Sequence, residues 1–255
     1  MEGFIKLKID CHIHSTSDYV GKEMEGEDKL PTPEQYIDKA SQLAFGAISF
    51  TNHSTWCDVR NYSEYASRKG IILVPGIEMC VQGKHVLLYN FAHQSNIETF
   101  DDIKRFKDKN NLVVAAHPYY WIGKCLKGDL VKNIALFDAV EISHFFTNWL
   151  NPNKKAFNTA KKYHLPLLSF SDCHTLDMFG KNYSYVYVKE TSVNGIIEGI
   201  KSGRVEYVAP PLSSIELFKE IVSKRKHLKY IFLGSPEENF LQLKKEGKLP
   251  KDFKL

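Results

Sequence analysis

Ten histidines are spread through the 255 residues, and most of them stand where a short apolar run ends. Asp10-Cys11-His12-Ile13-His14 follows one such run, and because successive strand side chains alternate faces, Asp10, His12 and His14 project to one side. Two imidazoles at that spacing can approach one cation without bending the backbone, a sound metal-ligand geometry. Alone, the pair equally fits two hydrogen-bonded histidines in a half-buried strand. A second pair of the same kind, Ser171-Asp172-Cys173-His174, puts Asp172 and His174 on one face after the run 165–170. Single ligands close other runs: His53 after 47–51, Glu78 after Val74-Pro75-Gly76, and His117 after 112–116. His85 opens a run instead, and Asp18 lies in the loop after His14; both can reach the same mouth. This set exceeds the roughly three protein ligands of a catalytic zinc and so favours two or three divalent ions, with Glu78 or Asp172 able to bridge. Two ions about 3.5–4 Å apart can hold a hydroxide and clamp a phosphoryl oxygen, which is hydrolase chemistry.

Those strand ends need a scaffold. Apolar, β-branched runs at 4–9, 47–51, 71–74, 85–91, 112–116, 138–142, 165–170 and 183–188 alternate with helical patterns, as in an α/β fold. Thr32, Pro33 and Gln35 supply an N-cap, a first-turn proline and a capping-box partner, with Gly46 after the last turn; the helix over 191–202 closes similarly at Gly203. Pro210-Pro211 marks the one boundary, dividing a main domain, 1–210, from a helical extension, 211–255, packed on it. Within the extension, 214–226 and 235–246 read as amphipathic helices.

Composition narrows the function classes. With 43% hydrophobic and 25% charged residues the chain can bury a core of barrel size, which excludes disorder and collagen-like repetition. The net charge of +4 is too slight and too interspersed for a polyanion-binding surface, yet suits a compact anionic substrate. The five cysteines are scattered without a CxxC and read as free thiols of a reducing compartment. No stretch approaches the roughly 18 apolar residues of a membrane helix, and residues 1–10 lack the features of a signal peptide, so a cytoplasmic protein with no membrane partner is expected.

Taken in order, His12-x-His14, Thr51-Asn52-His53, Pro75-Gly76-Ile77-Glu78, Gly83-Lys84-His85-Val86-Leu87, Ala116-His117-Pro118 and Ser171-Asp172-Cys173-His174 resemble the PHP (polymerase and histidinol phosphatase) family of metal-dependent phosphoesterases over about residues 7–210. The resemblance implies a distorted (β/α)7 barrel with ions at the C-terminal ends of its strands. It further implies that His12, His14, Glu78 and Asp172 surround one ion, that Glu78 bridges to a second held by His85 and His117, and that His53 and His174 hold a third, with Asp18 the nearest match to complete it. Two departures stand out. The spacing from His14 to Asp18 is one residue short of the family pattern, and Asn52 replaces the usual Asp. If that Asp only accepts a hydrogen bond, the amide oxygen can substitute; if it ligates or orients a ligand, the third ion binds more weakly.

Among the remaining residues, His144 is expected to face the mouth as proton donor or phosphate contact. Glu141 matches a Glu often seen in the family's strand, and the resemblance implies that it orients its neighbours. Arg60 is the preferred phosphate-binding cation over Lys22, Lys124 and Lys127, because guanidinium forks phosphate bidentately. Tyr119, Tyr120 and Trp121 can stack on a base or pack on the rim. The expected activity is hydrolysis of small phosphorylated metabolites or nucleotides by a metal-bound hydroxide, with Mn, Zn or Fe as cofactor and Asp172 and His144 as catalytic residues. The alternatives are an oligonucleotide phosphodiesterase, which would bring nucleic acid as a partner, a C–N hydrolase, and a non-catalytic metal-binding domain.

Overall fold

The computed structural model describes residues 3–18, 30–92, 96–120 and 123–223. In chain order the main elements are β1 (Ile5–Ile13), α1 (Pro33–Gln42), β2 (Ala47–Phe50), α2 (Ser63–Arg68), β3 (Ile72–Leu73), β4 (Gly76–Val81), β5 (Lys84–Tyr89), α3 (Phe100–Phe106), β6 (Leu112–Ala115), α4 (Gly128–Lys132), β7 (Ala139–Ile142), α5 (Lys154–Tyr163), β8 (Leu167–Ser169), β9 (Tyr183–Val188), α6 (Val193–Lys201), β10 (Val205–Val208) and α7 (Ser214–Ser223). The Thr32 hydroxyl accepts from the Gln35 backbone while the Gln35 side chain accepts from the Thr32 N–H, so the capping box read from the sequence starts α1.

The strands form two five-stranded sheets, ordered β10-β9-β1-β2-β3 and β4-β5-β6-β7-β8. In the first, β1, β2 and β3 run parallel while β9 is antiparallel to both β1 and β10. In the second, β4-β5-β6 is antiparallel and β6-β7-β8 parallel. Three apolar clusters hold the layers. Ile9, Leu87, Tyr89, Val114, Leu168, Phe170 and Val186 draw both sheets together with α6. Tyr36, Ile37 and Ala40 of α1 pack on Ile48 and Phe50 of the first sheet, and Ala156 and Ala160 of α5 lie in the cluster of Val86, Val113 and Val140 of the second.

No closed sheet is present among the described residues, so the barrel implied by the resemblance is replaced by two sheets meeting at two seams. At one, Ile13 pairs with Cys173; at the other, His53 pairs with Glu78; both are isolated bridges. The physical reason lies beside them. Asp172 and Ser54 adopt left-handed backbone, φ 47° and 48°, which cannot continue a ladder, and β1 shifts register between Asp10 and Ile13. The two seams are where most of the candidate ligands stand.

Two strands have no counterpart in the sequence reading. Residues 76–81, which the sequence pattern leaves as a turn and its exit, are β4, and Gly76 opens it because a Cβ there would collide with the Ser49 hydroxyl and the Tyr89 ring. The β4–β5 connection is a two-residue turn in which Gln82 and Gly83 are both left-handed, φ 48° and 76°; its first position lacks the Asn or Asp that usually announces such a turn. β10 is the other. In the extension, α7 begins at Ser214, and the Leu212 N–H donates to the Phe146 carbonyl at 2.8 Å. The helix read over 235–246 lies outside the described residues. No helix among the described residues is long and apolar enough to cross a membrane.

Candidate metal centre

A buried carboxylate lies at the centre of the site. Glu78 projects from β4, and its Oε1 is 2.8 Å from His85 Nδ1, 3.3 Å from His117 Nε2 and 3.5 Å from His12 Nε2. Its Oε2 is 3.3 Å from His53 Nε2 and 3.6 Å from His14 Nε2. Asp172, at the exit of β8, caps the same space: Oδ1 lies 3.3 Å from His14 Nε2 and 3.4 Å from His12 Nε2, and Oδ2 lies 3.8 Å from His117 Nε2. His174 is half-buried, its ring stacked on His14 at 4.2 Å. Both Asp172 and His117 are left-handed, φ 47° and 26°, which turns their side chains inward immediately after a strand.

The far sides of the rings are held as well. His12 Nδ1 is 2.9 Å from Glu141 Oε1, and the other oxygen of Glu141 accepts from the His117 backbone at 3.0 Å, so one carboxylate on β7 contacts two neighbours, in line with what the resemblance implies. Asp18 Oδ2 sits 2.7 Å from Nδ1 of both His14 and His53 and accepts the His53 backbone N–H at 3.1 Å. That location is behind the rings, away from the space their Nε2 atoms face. Asn52 Oδ1 accepts from the backbone and hydroxyl of Ser15, at 2.9 and 3.3 Å, the acceptor role that an amide can fill in place of a carboxylate. Asp10 Oδ1 accepts from the backbones of His12 and Ser171, at 3.3 and 3.1 Å, lacing the exit of β1 to that of β8. Behind His117, Nδ1 faces the sulfur of Cys125 at 3.4 Å, a neighbour that no spacing in the sequence announces.

Buried groups so close together shift one another's protonation. Burial opposes charge on Glu78, yet His85, His12 and His117 outweigh it and hold the carboxyl well below the usual range. Asp172 is held down in the same way by His12, His14 and His117. Burial likewise disfavours charged His12 and His14, but Glu141, Asp172 and Glu78 raise the former well above the ordinary imidazole value, and Asp172 and Asp18 bring the latter to about 9. Burial pushes the Asp10 carboxyl up to about 7 against the hydrogen bonds from Ser171 and His12.

This arrangement suits cations. Nε2 of His12 and Nε2 of His14 are buried without a hydrogen-bond partner, and both face the Glu78 carboxylate. Four overlapping groups present ligand atoms within 4.8 Å of one another: His14, His53 and His174; His12, His117 and Asp172; His12, His14 and Glu78; and His53, Glu78 and His85. Asp18 belongs to none of the four. Imidazole and carboxylate donors in this number match borderline to hard divalent ions.

The PHP domain model matches residues 10–137, half of the chain, and a PHP-associated model matches 151–205. The chain belongs to the PHP domain family. Similar proteins include an uncharacterized protein of Methanocaldococcus jannaschii, 26% identical over 140 residues, which are 53% of this chain and 81% of that one. Among solved structures, a two-domain protein of Bacteroides vulgatus containing a predicted PHP-like metal-dependent phosphoesterase superposes with TM-score 0.61 and 18% identity, covering 88% of this chain and 71% of the other. A lesion-specific endonuclease of Pyrococcus furiosus superposes with TM-score 0.53 and 15% identity, covering 80% and 58%. At these identities the superpositions speak to the fold.

The PHP core gathers His12, His14, His53, Glu78, His85, His117, Asp172 and His174. His144 is buried just past β7, its ring 6.4 Å from that of Phe145. Arg60 is not brought in: its side chain is 83% exposed and its guanidinium is gripped by Asp58 at 2.7 and 2.8 Å. Tyr120 stands edge-on to His117 at 6.5 Å and to Phe145 at 5.2 Å, whereas Lys22 and Trp121 lie outside the described residues. All five cysteines are buried free thiols.

Proposed function

We propose that this PHP protein is a phosphatase for small phosphorylated metabolites or nucleotides, using two or three divalent ions drawn from Mn, Zn and Fe. The observation that carries the reading is Glu78, whose two oxygens each face a separate group of histidines, the geometry of a bridging carboxylate. Ions bound there supply Lewis acidity to a phosphoryl oxygen and lower the pKa of water. His12, His14 and Asp172 would hold one ion with Glu78, His85 and His117 a second, and His53 and His174 a third. Asp18 and Glu141 keep ring nitrogens aimed inward, which fixes the tautomers before substrate arrives. His144, at the mouth side of β7, is the group we assign to protonate the departing alkoxide.

The test is phosphate release from nucleotides, nucleoside bisphosphates, sugar phosphates and histidinol phosphate, each with Mn²⁺, with chelator, and with Glu78→Gln. Chelator-sensitive release from one class, absent in the variant, is expected. Silence across the panel with metal demonstrably bound refutes the phosphatase reading. One observation favours a second reading, hydrolysis of oligonucleotide phosphodiesters: the half-buried Tyr120, backed by the buried Phe145, stands beside His117 as a ring on which a base can lie. That reading requires turnover that depends on strand length and falls steeply with salt.

A further inference from the structure

His117 differs from the other ligands in what stands behind it. The Nδ1 atoms of His12, His14 and His53 face carboxylates, whereas that of His117 faces the thiol of Cys125. With Nε2 turned to Glu78 and Asp172, the ring's proton resides on Nδ1, and the nearest acceptor for that N–H is the sulfur, at 3.4 Å. Cys125 is held firmly in place. The Lys127 N–H donates to the Pro118 carbonyl at 2.8 Å, folding the segment back on itself, and the Lys84 ammonium donates to the Gly123 carbonyl at 2.7 Å. The carbonyl of the adjacent Lys124 accepts the His85 backbone N–H at 2.8 Å. Two consecutive residues thus brace two candidate ligands, Lys124 through the backbone of His85 and Cys125 through the ring of His117.

We infer that Cys125 is a positioning residue for His117, its sulfur accepting the Nδ1–H and so setting the affinity of the one metal position that His117 serves. A neutral thiol orients the ring without lending it the basicity that a carboxylate partner lends. The position it serves is therefore weaker than those served by carboxylate-backed rings. The inference rests on the cluster being a metal centre, and its test reads binding rather than turnover.

Apo protein is titrated with Co²⁺, following visible absorption and calorimetric heat, for wild type, Cys125→Ala, Cys125→Ser and the double variant Cys125→Ala/His117→Ala, with the apo melting temperature of each recorded. Outer ligand partners contribute about 10–100-fold to metal affinity. Cys125→Ala is expected to weaken one equivalent, the weakest, by at least about tenfold, with the others unmoved. Cys125→Ser keeps an acceptor and is expected to stay within about threefold of wild type. Adding His117→Ala to Cys125→Ala is expected to change the remaining equivalents no further. Wild-type affinity in Cys125→Ala overturns the inference, as does a serine variant as impaired as the alanine one, which would assign the effect to packing. Uniform weakening of every equivalent together with a lowered apo melting temperature overturns it too. If wild type binds no Co²⁺, the metal-centre reading itself falls and this inference with it.

Discussion

Asp172→Asn is the perturbation whose consequences the geometry defines most closely. Asp172 is left-handed at φ 47°, a conformation that Asn tolerates as well as Asp does, so the substitution removes charge without straining the backbone. What is lost can be counted. Oδ1 lies 3.3 Å from His14 Nε2 and 3.4 Å from His12 Nε2, while the 3.8 Å approach of Oδ2 to His117 is too long to weigh equally. Those contacts belong to the apo arrangement, and an ion seated there takes their place. With Asn the group of His12, His117 and Asp172 loses its one charged ligand, so the affinity there should fall by more than the roughly 10–100-fold that an outer partner contributes. Three of the four ligand groups, His14 with His53 and His174, His12 with His14 and Glu78, and His53 with Glu78 and His85, do not contain Asp172. The loss should therefore fall on one equivalent of metal. Equilibrium dialysis with elemental analysis measures stoichiometry and affinity, phosphate release measures turnover, and circular dichroism of the apo form checks the fold. Full stoichiometry at wild-type affinity together with retained turnover would refute the reasoning.

Other expectations rest on the same contacts. His14 is raised to about 9 from an ordinary value of 6.5, so in the apo protein its contribution to stability is complete below pH 6.5 and disappears as pH rises through 9. Glu78 and Asp172 are lowered, so theirs is present above their unfolded values and disappears as pH falls. Urea midpoints of chelated protein should accordingly peak in mildly acid solution, and a midpoint that climbs steadily from pH 6.5 to 9 would contradict the pairing. Asp18→Ala frees Nδ1 of both His14 and His53 and should cost about 10–100-fold in affinity for each of the two ions that these rings serve, read by competition with a fluorescent chelator. Arg60→Ala should leave KM and kcat within about twofold, since an exposed guanidinium already gripped by Asp58 contributes little; a roughly tenfold rise in KM would return it to the substrate site.

Much of the centre was legible because strand alternation and a handful of side-chain types carry it. The HxH pair, Asp172 and His117 each stand at or beside a strand end; Glu78, read as following a turn, sits inside β4, and the fold gathers all of them. Less was legible where placement depends on the backbone leaving the strand. Nothing local announces that Asp172 and Ser54 turn left-handed and interrupt the ladder, so the sequence holds no sign against the closed barrel that the resemblance implies. The resemblance offered Asp18, one residue short in spacing, as the nearest match for a ligand; its carboxylate lies on the outer side of two rings, a distinction that three-dimensional packing alone decides. Cys125 reaches His117 through a folded-back segment that hydrophobic periodicity does not encode.

The seams between the sheets have one more consequence. Each of the four ligand groups contains side chains on or after strands of the first sheet and side chains on or after strands of the second. An ion seated in any of them would be a rivet across a joint that, among the described residues, is paired by one isolated bridge at each seam. Coordination would therefore add to the few backbone hydrogen bonds that cross the seams, and the same atoms that would polarise a phosphate would also keep the two sheets in register.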